Sequence, residues 1–227
     1  MGTNKSSFLW ELKKFYLYPI HTLKSIKQFR KPSLIWDSII YFPVWFKFYK
    51  QNYNPLDSDR PWIVFKAKQF LDSIINKNMT VFEYGSGGST LYFSKRVSKV
   101  YSIENDEGWY NFLNKRIHNT KINNIDDTLI KGIEVPKNAN PLYTSDANGF
   151  YYEDYVKIID SFPDNSFDIV VVDGRARTAC VQHAVSKIKK GGYLLLDNSE
   201  RERYLEGNDF LFDKNKWREF SFIGPIT

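Results

Sequence analysis

Cysteine is almost missing from this chain: of 227 residues only Cys180 carries a thiol. A lone cysteine excludes an internal disulfide and leaves secretion without its usual mark. Long apolar runs are missing too. No uncharged stretch reaches the ~18 apolar residues of a membrane-spanning helix, so none is expected. Nor does any segment join a basic start, an apolar run and a small-residue cleavage site, so no signal peptide is expected. These absences make a soluble, cytoplasmic protein the expectation. A chain of this length buries about 70% of its unfolded surface and needs no covalent staple. Histidine is scarce as well, at three residues. His183, well inside a predicted helix, reads as a packed or remote imidazole, and His21 and His118 give no stronger signal.

Net charge is absent from three-quarters of the chain. Residues 61–227 hold twenty-two basic and twenty-two acidic residues, and the formal +6 arises wholly in residues 1–60, with ten Lys/Arg against four Asp/Glu. The same quarter holds fourteen of the thirty-nine aromatic residues, between Phe8 and Tyr53. Two helices are expected there, over 7–29 and 32–51, the second interrupted or kinked at Pro43. The run Leu34, Ile35, Trp36, Ile39, Ile40, Tyr41, Phe42 is apolar on more than one side, so part of it should be buried. Such an extension suits a helical cap on the rest of the chain. Lys and Arg flanking Trp and Phe also suit an element lying peripherally on a membrane surface. Contact with nucleic acid is the weakest of the three. The start Met1-Gly2-Thr3-Asn4-Lys5-Ser6 fits a myristoylation pattern that six residues match easily by chance.

Asp57-Ser58-Asp59-Arg60-Pro61 reads as a loop and a boundary, dividing a basic, aromatic extension (1–60) from a second domain (61–227). Beyond it the pattern alternates: a helix over 62–77, a strand over 80–84, a helix over 89–96, a strand over 99–104 and a helix over 107–118. A third strand over 127–135, a helix near 151–161, a strand over 168–173, a helix over 177–189 and a strand over 191–197 follow. Strands apolar on both faces that alternate with helices predict an α/β fold, a Rossmann-like three-layer sandwich with a mostly parallel sheet. In such sheets ligands bind at the carboxyl ends of the strands, so chemistry is sought just after each one.

The first strand runs into Glu83-Tyr84-Gly85-Ser86-Gly87-Gly88-Ser89-Thr90. Glycines allow a tight turn and close approach of a ligand to the backbone. The dinucleotide fingerprint G-x-G-x-x-G, counted from Gly85, needs glycine at position 90 and meets Thr90. Glu104 ends the second strand twenty-one positions after Glu83, where a carboxylate can accept from two ribose hydroxyls.

With an acid two residues before the first glycine, VFEYGSGGST and VYSIEND resemble the first two motifs of class I S-adenosylmethionine-dependent methyltransferases. The resemblance covers residues 61–227, including the order of elements. It implies S-adenosylmethionine as cofactor, held by Glu83, Tyr84, Gly85, Ser86, Gly87, Gly88, Ser89, Glu104 and Asp173. Ser89 stands where many members carry a third glycine. Such domains close on a reversed hairpin of their last two strands. This chain ends after Phe220–Ile223 and Gly224-Pro225, so a seventh strand is expected to be missing.

The fourth strand ends in Asp173-Gly174-Arg175-Ala176-Arg177 and the fifth in Asp197-Asn198-Ser199-Glu200. Asp173, Asp197 and Asn198 offer two carboxylates and an amide oxygen at one place, a hard donor set that suits Mg²⁺. That set is similar to the one in metal-dependent O-methyltransferases acting on catechols and some sugars, where the cation lowers the pKa of the accepting hydroxyl. The other reading is that Asp173 caps a turn and Asp197-Asn198 is an ordinary turn dipeptide. Asp173 is then still the best-placed base or orienting group. Arg175 and Arg177 either clamp a carboxylate or phosphate on the substrate, or pair with acids such as Glu200 and Glu202. Tyr143–Tyr152 suits a lid or substrate platform, with Tyr151, Tyr152 and Tyr155 as the alternative buried face of the next helix. The expected function is methyl transfer to oxygen on a small polar acceptor, such as a sugar or saccharide. An NAD-dependent dehydrogenase and a non-catalytic ligand-binding relative are the competitors. Oligomeric state has no signature.

Overall fold

Five short runs of β-branched and aromatic residues carry the architecture. They form β1 (Thr80–Tyr84), β2 (Lys99–Glu104), β3 (Ile125–Leu129), β4 (Phe167–Val172) and β5 (Ile188–Leu196). All pair in parallel, in the order β3-β2-β1-β4-β5. The described helices are α1 (Leu34–Lys50), α2 (Phe65–Ile74), α3 (Gly88–Ser94), α4 (Glu107–Thr120), α5 (Glu153–Lys157) and α6 (Arg177–Ala184). The computed structural model describes residues 18–20, 22–50, 59–145 and 148–225.

Two units emerge. The first contains the N-terminal residues together with 62–74 and the C-terminal residues from Phe220; the second contains 59–61 and 75–219. The second unit is the sheet with its helices, a Rossmann-like three-layer sandwich. Alternation along each strand sorts the side chains. Phe82, Tyr84, Val170 and Val172 join a core with Tyr155, Val156, Ile159, Ala179 and Cys180 from α5, the turn after it and α6. The alternate residues Glu83 and Ser102 face the other side, where Thr90 of α3 bonds to both. The strand order reverses between β1 and β4, since the chain builds outward through β2 and β3 before returning to the other side of β1. The crevice at such a switch point is where this architecture binds ligands.

β1 and β2 fall where the sequence predicts them, and β4 and α4 shift by a residue or two. β3 differs: it spans Ile125–Leu129, not 127–135. Its register pairs Val100–Glu104 with Ile125–Leu129. Beyond Leu129 the chain leaves the sheet, and Ile133 makes an isolated antiparallel bridge with Tyr151. Gly132 passes so close to Tyr152 that a Cβ would lie 2.6 Å from its ring. The helix near 151–161 is split into α5 and a 3-10 turn, Ile158–Ser161. α6 stops at Ala184, and β5 begins at Ile188, three residues early, with a register shift opposite Phe167 and Ile169.

In the first unit, residues 18–20 and 22–29 are helical; the remainder of the helix expected over 7–29 lies outside the described residues. Tyr18 Oη donates to Ser38 O (2.9 Å), and its ring packs on Trp45 (4.4 Å) and Phe42 (5.3 Å) of α1. Thr22 Oγ1 bonds to Ser38 Oγ (2.9 Å). Pro43 sits inside α1 without ending it. Tyr41 stacks on Phe65 (4.7 Å) and donates to Gln69 Oε1 (2.8 Å), while Lys66 pairs with Asp37 (2.7 Å). The C-terminal segment adds no strand: Phe220 and Phe222 pack on Phe70, and Phe65 N donates to Pro225 O. Among the described residues the sheet therefore has five strands, and no helix is long and apolar enough to cross a membrane.

Asp106 caps α4, its Oδ1 accepting from Trp109 N at 2.7 Å. Replacing Asp106 by Ala removes this partner from an otherwise orphaned helix N–H. Denaturant unfolding should show a loss of about 1 kcal/mol.

Candidate active site

The turn after β1 is built from hydrogen bonds made within the chain. Gly85 has φ +95, a left-handed value that glycine adopts without strain, and Gly85 N donates to Ile103 O (2.8 Å). Ser86 N donates to Glu104 Oε2 (3.0 Å), joined by Ser86 Oγ (3.2 Å). Gly87 N donates to Thr90 Oγ1 (2.8 Å), which in turn donates to Glu83 Oε2 (2.6 Å). Trp109 Nε1 closes the turn from outside by donating to Ser86 O (2.7 Å). Three successive amides of the glycine-rich turn thus already have partners.

Glu83 is fully buried, and no hydrogen bond reaches its Oε1. Burial pushes its carboxyl up to about 7, against a downward pull from the hydroxyls of Ser89, Thr90 and Ser102. Glu104 is saturated. Its Oε2 takes the Ser86 amide and hydroxyl, and its Oε1 accepts from Asn105 N and Asp106 N, both at 2.7 Å. A carboxylate offers about four lone-pair sites, so Glu104 ties the β1 turn to the β2 turn as the structure stands.

The turn after β4 lies directly beside the first. A Cβ on Gly85 would approach Asp173 C and Gly174 N to 3.1 Å, and one on Gly174 would lie 1.9 Å from Tyr155 Oη. Only glycine fits at this crossing. Ala176 adopts φ 44, a left-handed conformation unfavourable for a residue with a side chain. Cys180 Sγ donates to Arg175 O (3.3 Å) and helps to hold that turn.

Arg177 organises the carboxyl ends of β4 and β5. Its Nη2 donates to Asp173 Oδ1 (2.8 Å) and Asp173 O (3.0 Å), its Nε to Gly174 O (3.1 Å) and its Nη1 to Asp197 O (2.7 Å). Asn198 Oδ1 lies 3.4 Å and Asp197 Oδ2 3.6 Å from the same Nη1. The oxygens expected to surround a cation therefore surround a guanidinium. For Arg177 the pairing with nearby acids holds, the partners being Asp173 and Asp197 rather than Glu200 or Glu202. Among the described residues no group of three His, Cys, Asp or Glu is placed to hold a metal. Burial and the neighbouring Asp197 carboxylate push the Asp173 carboxyl up, and Arg177 partly offsets the rise.

Between these turns lies a cleft of about 220 Å³, lined by Gly85, Ser86, Glu104, Asn105, Asp173, Gly174, Arg175 and Arg177. Six of the expected site residues meet there: Gly85, Ser86, Glu104, Asp173, Arg175 and Arg177. The others do not line it. Tyr84 is a core residue donating to Val156 O (2.6 Å), and Glu83 lies buried beneath the turn. Gly87 packs by the Trp109 ring, and Gly88 and Ser89 begin α3. Asp197 and Asn198 stand behind Arg177. Asn105 and Gly174 were missed, although each directly follows a strand or a strand-end residue. His183 bonds to Asp160 (2.8 Å) and Tyr143 (3.2 Å), a packed imidazole as expected. Tyr143, Tyr151, Tyr152 and Tyr155 are all buried, so the last three take the buried alternative, while Phe150 of the same segment is exposed.

No protein-family model matches the chain, and no curated protein matches it. Solved structures do. Precorrin 8W decarboxylase of Methanobacterium thermoautotrophicum matches at 20% identity and a TM-score of 0.47, over 70% of this chain and 75% of that one. A Streptococcus mutans protein in complex with SAH matches at 12% identity and a TM-score of 0.48, over 71% and 92%. A SAM-dependent methyltransferase from Aquifex aeolicus matches at 17% identity and a TM-score of 0.39, over 64% and 72%. At such identities and scores, none of them says what this chain binds.

Glu83 gives the site a pH signature. Its folded-state pKa is raised from 4.5 to about 7, so between those values the folded state holds a proton that the unfolded state has lost. Stability is then highest below the unfolded value, falls as pH rises through about 7 and levels off above it. Asp127, pushed by burial and by Glu104 up to about 7, adds in the same direction. Thermal unfolding from pH 5 to 8 should show this fall, and Glu83→Gln should flatten it. A slope that Glu83→Gln leaves unchanged would assign the fall elsewhere.

Proposed function

We propose that the chain is an S-adenosylmethionine-dependent methyltransferase. One observation carries the reading: the amides of Gly85, Ser86 and Gly87 are engaged inside the protein. A pyrophosphate needs such N–H groups free at the start of the helix. A nicotinamide dinucleotide would find them taken, and the buried Thr90 side chain fills the place that its fingerprint reserves for glycine. S-adenosylmethionine carries no phosphate. Its ammonium and sulfonium suit a cleft containing the Glu104 and Asp173 carboxylates, and its ribose hydroxyls suit Glu104.

The residues present fit that cofactor. Gly85 and Ser86 of the first turn line one cleft with the carboxylate-bearing Glu104 and Asp173. Glu104 takes a ribose hydroxyl by giving up its longest bond, the 3.2 Å one from Ser86 Oγ. When bound, S-adenosylmethionine supplies an electrophilic methyl group on its sulfonium. The chain supplies position and a proton acceptor. Asp173 lines the cleft with a carboxyl whose pKa is raised, which suits removal of a proton from an attacking hydroxyl. Arg177 is a positioning residue that fixes this carboxylate. Arg175 lines the cleft and forms no ion pair among the described residues. It is the group for an anionic part of the acceptor.

The acceptor in this reading is a small hydroxylated molecule, a sugar or saccharide unit with a carboxylate or phosphate, and transfer is to oxygen. A divalent cation would draw on Asp173, Asp197 and Asn198. Those oxygens do not fit one as they stand, because Arg177 already places a positive charge and several N–H groups among them. The proposed transfer therefore proceeds without a metal ion.

Transfer of labelled methyl groups to a panel of hydroxylated acids, with and without EDTA, tests both statements. Turnover should be insensitive to EDTA. Arg175→Ala should raise the acceptor KM about 10- to 100-fold, the cost of a lost charge-assisted hydrogen bond, and leave the affinity for S-adenosylhomocysteine unchanged. Activity abolished by EDTA and restored by Mg²⁺ would contradict the role given to Arg177. Tight cofactor binding without transfer to any acceptor would favour a binding-only protein.

A further inference from the structure

α1 has two unlike faces. Leu34, Asp37 and Ser38 are buried, with Tyr41, Phe42 and Trp45 partly so, and the inward side chains meet Tyr18, Thr22, Phe65 and Lys66. The opposite face carries Ile35, Trp36, Ile39, Ile40 and Val44, spaced as neighbours over nearly three turns. All five are exposed: Trp36 at 69%, Ile40 at 64% and Ile39 at 58%. Single exposed apolar residues are ordinary, but a contiguous stripe of them marks an interaction surface.

The charges carried by α1 and the segment before it indicate what covers the stripe. Lys24, Lys27, Arg30 and Lys31 are exposed on the preceding helical segment and its turn into α1, and Lys47 is exposed near the far end. Asp37 is the one acid among residues 22–50, and it is buried and paired with Lys66. The exposed part of this hairpin is thus apolar and cationic, without an acidic group. A second copy docked on this face would bring like charges together. Residues 1–17 carry three lysines and one glutamate and complement its charge no better. Nucleic acid offers anions but no apolar layer for Trp36 and the isoleucines. An anionic lipid surface offers both, with phosphates for the cations and the acyl boundary for the stripe.

We propose that the outward face of α1 lies on an anionic lipid bilayer surface, with Trp36, Ile39 and Ile40 in the headgroup and acyl boundary and Lys24, Lys27, Arg30 and Lys31 on lipid phosphates. The inference is independent of the methyltransferase reading.

Co-sedimentation of the full chain with vesicles tests it, using phosphatidylcholine alone or mixed with phosphatidylglycerol. Binding should require phosphatidylglycerol and weaken with salt. Lys24→Gln with Lys27→Gln should weaken it about 25-fold, at roughly a factor of five per cation. Trp36→Ser, Ile39→Ser and Ile40→Ser together should abolish it with an unchanged circular dichroism spectrum, since these side chains are exposed. A chain that ignores phosphatidylglycerol vesicles overturns the proposal, as does a triple variant that binds them undiminished. A dimer in solution that the triple variant dissociates, without vesicle binding, would assign the face to a second copy instead.

Discussion

The upper end of the sheet depends on one buried hydroxyl. Thr90 Oγ1 donates to Glu83 on β1 and accepts from the amide of Gly87. It thereby joins the first strand, the glycine-rich turn and the first helix of the sandwich through a single atom. With Gly87 held, Ser86 presents its amide and hydroxyl to Glu104, and Glu104 reaches on to the amides of Asn105 and Asp106. The chain of bonds runs from β1 to β2 and into the cap of α4. It fixes a turn rich in glycine, whose backbone entropy would otherwise work against order. It also decides what the turn can bind, because amides engaged internally are not available to a phosphate.

A second constraint operates across β4 and β5. Two carboxylates whose strands end side by side repel each other, and this adds to burial in raising the pKa of Asp173. Many proteins resolve such a pair with a metal ion. Here Arg177 enters from the first turn of α6, beyond the left-handed Ala176, and places its fork between two carboxylates and three backbone carbonyls. Arginine suits the task because its planar donors match several acceptors at once and its charge does not titrate. An arginine at the start of a helix is unfavourable to the helix dipole, and the convergence of acceptors from two strand ends offsets that cost.

Much of this was legible in the sequence, and what was not has physical causes. β1, β2 and β4 are short apolar runs ending in glycine or acid, and they fall within a residue of where the pattern puts them. β3 is an edge strand whose own residues, Ile125–Leu129, include two aspartates, so the more apolar stretch downstream looked the better strand. Its true position follows from pairing with β2 and from the crowding of Gly132 by Tyr152, neither of which is a local property. The cleft residues Gly85, Ser86, Glu104, Asp173, Arg175 and Arg177 were visible because each stands at or just after a strand end. The engagement of Arg177 was not, since most of its acceptors are backbone carbonyls that carry no sequence signal. Thr90 read as a glycine that was missing; the structure makes it the group that closes the turn. The tyrosines of 143–155 read equally well as platform or core, and only packing could choose.

The claim that these connections define a site for S-adenosylmethionine is tested most directly by calorimetry, with S-adenosylhomocysteine and NADH titrated separately into the folded chain. Saturable binding of S-adenosylhomocysteine at one site, with no heat from NADH, is the predicted result. Saturable NADH binding with none of S-adenosylhomocysteine would contradict the account, because it would require free amides where Gly85, Ser86 and Gly87 have none.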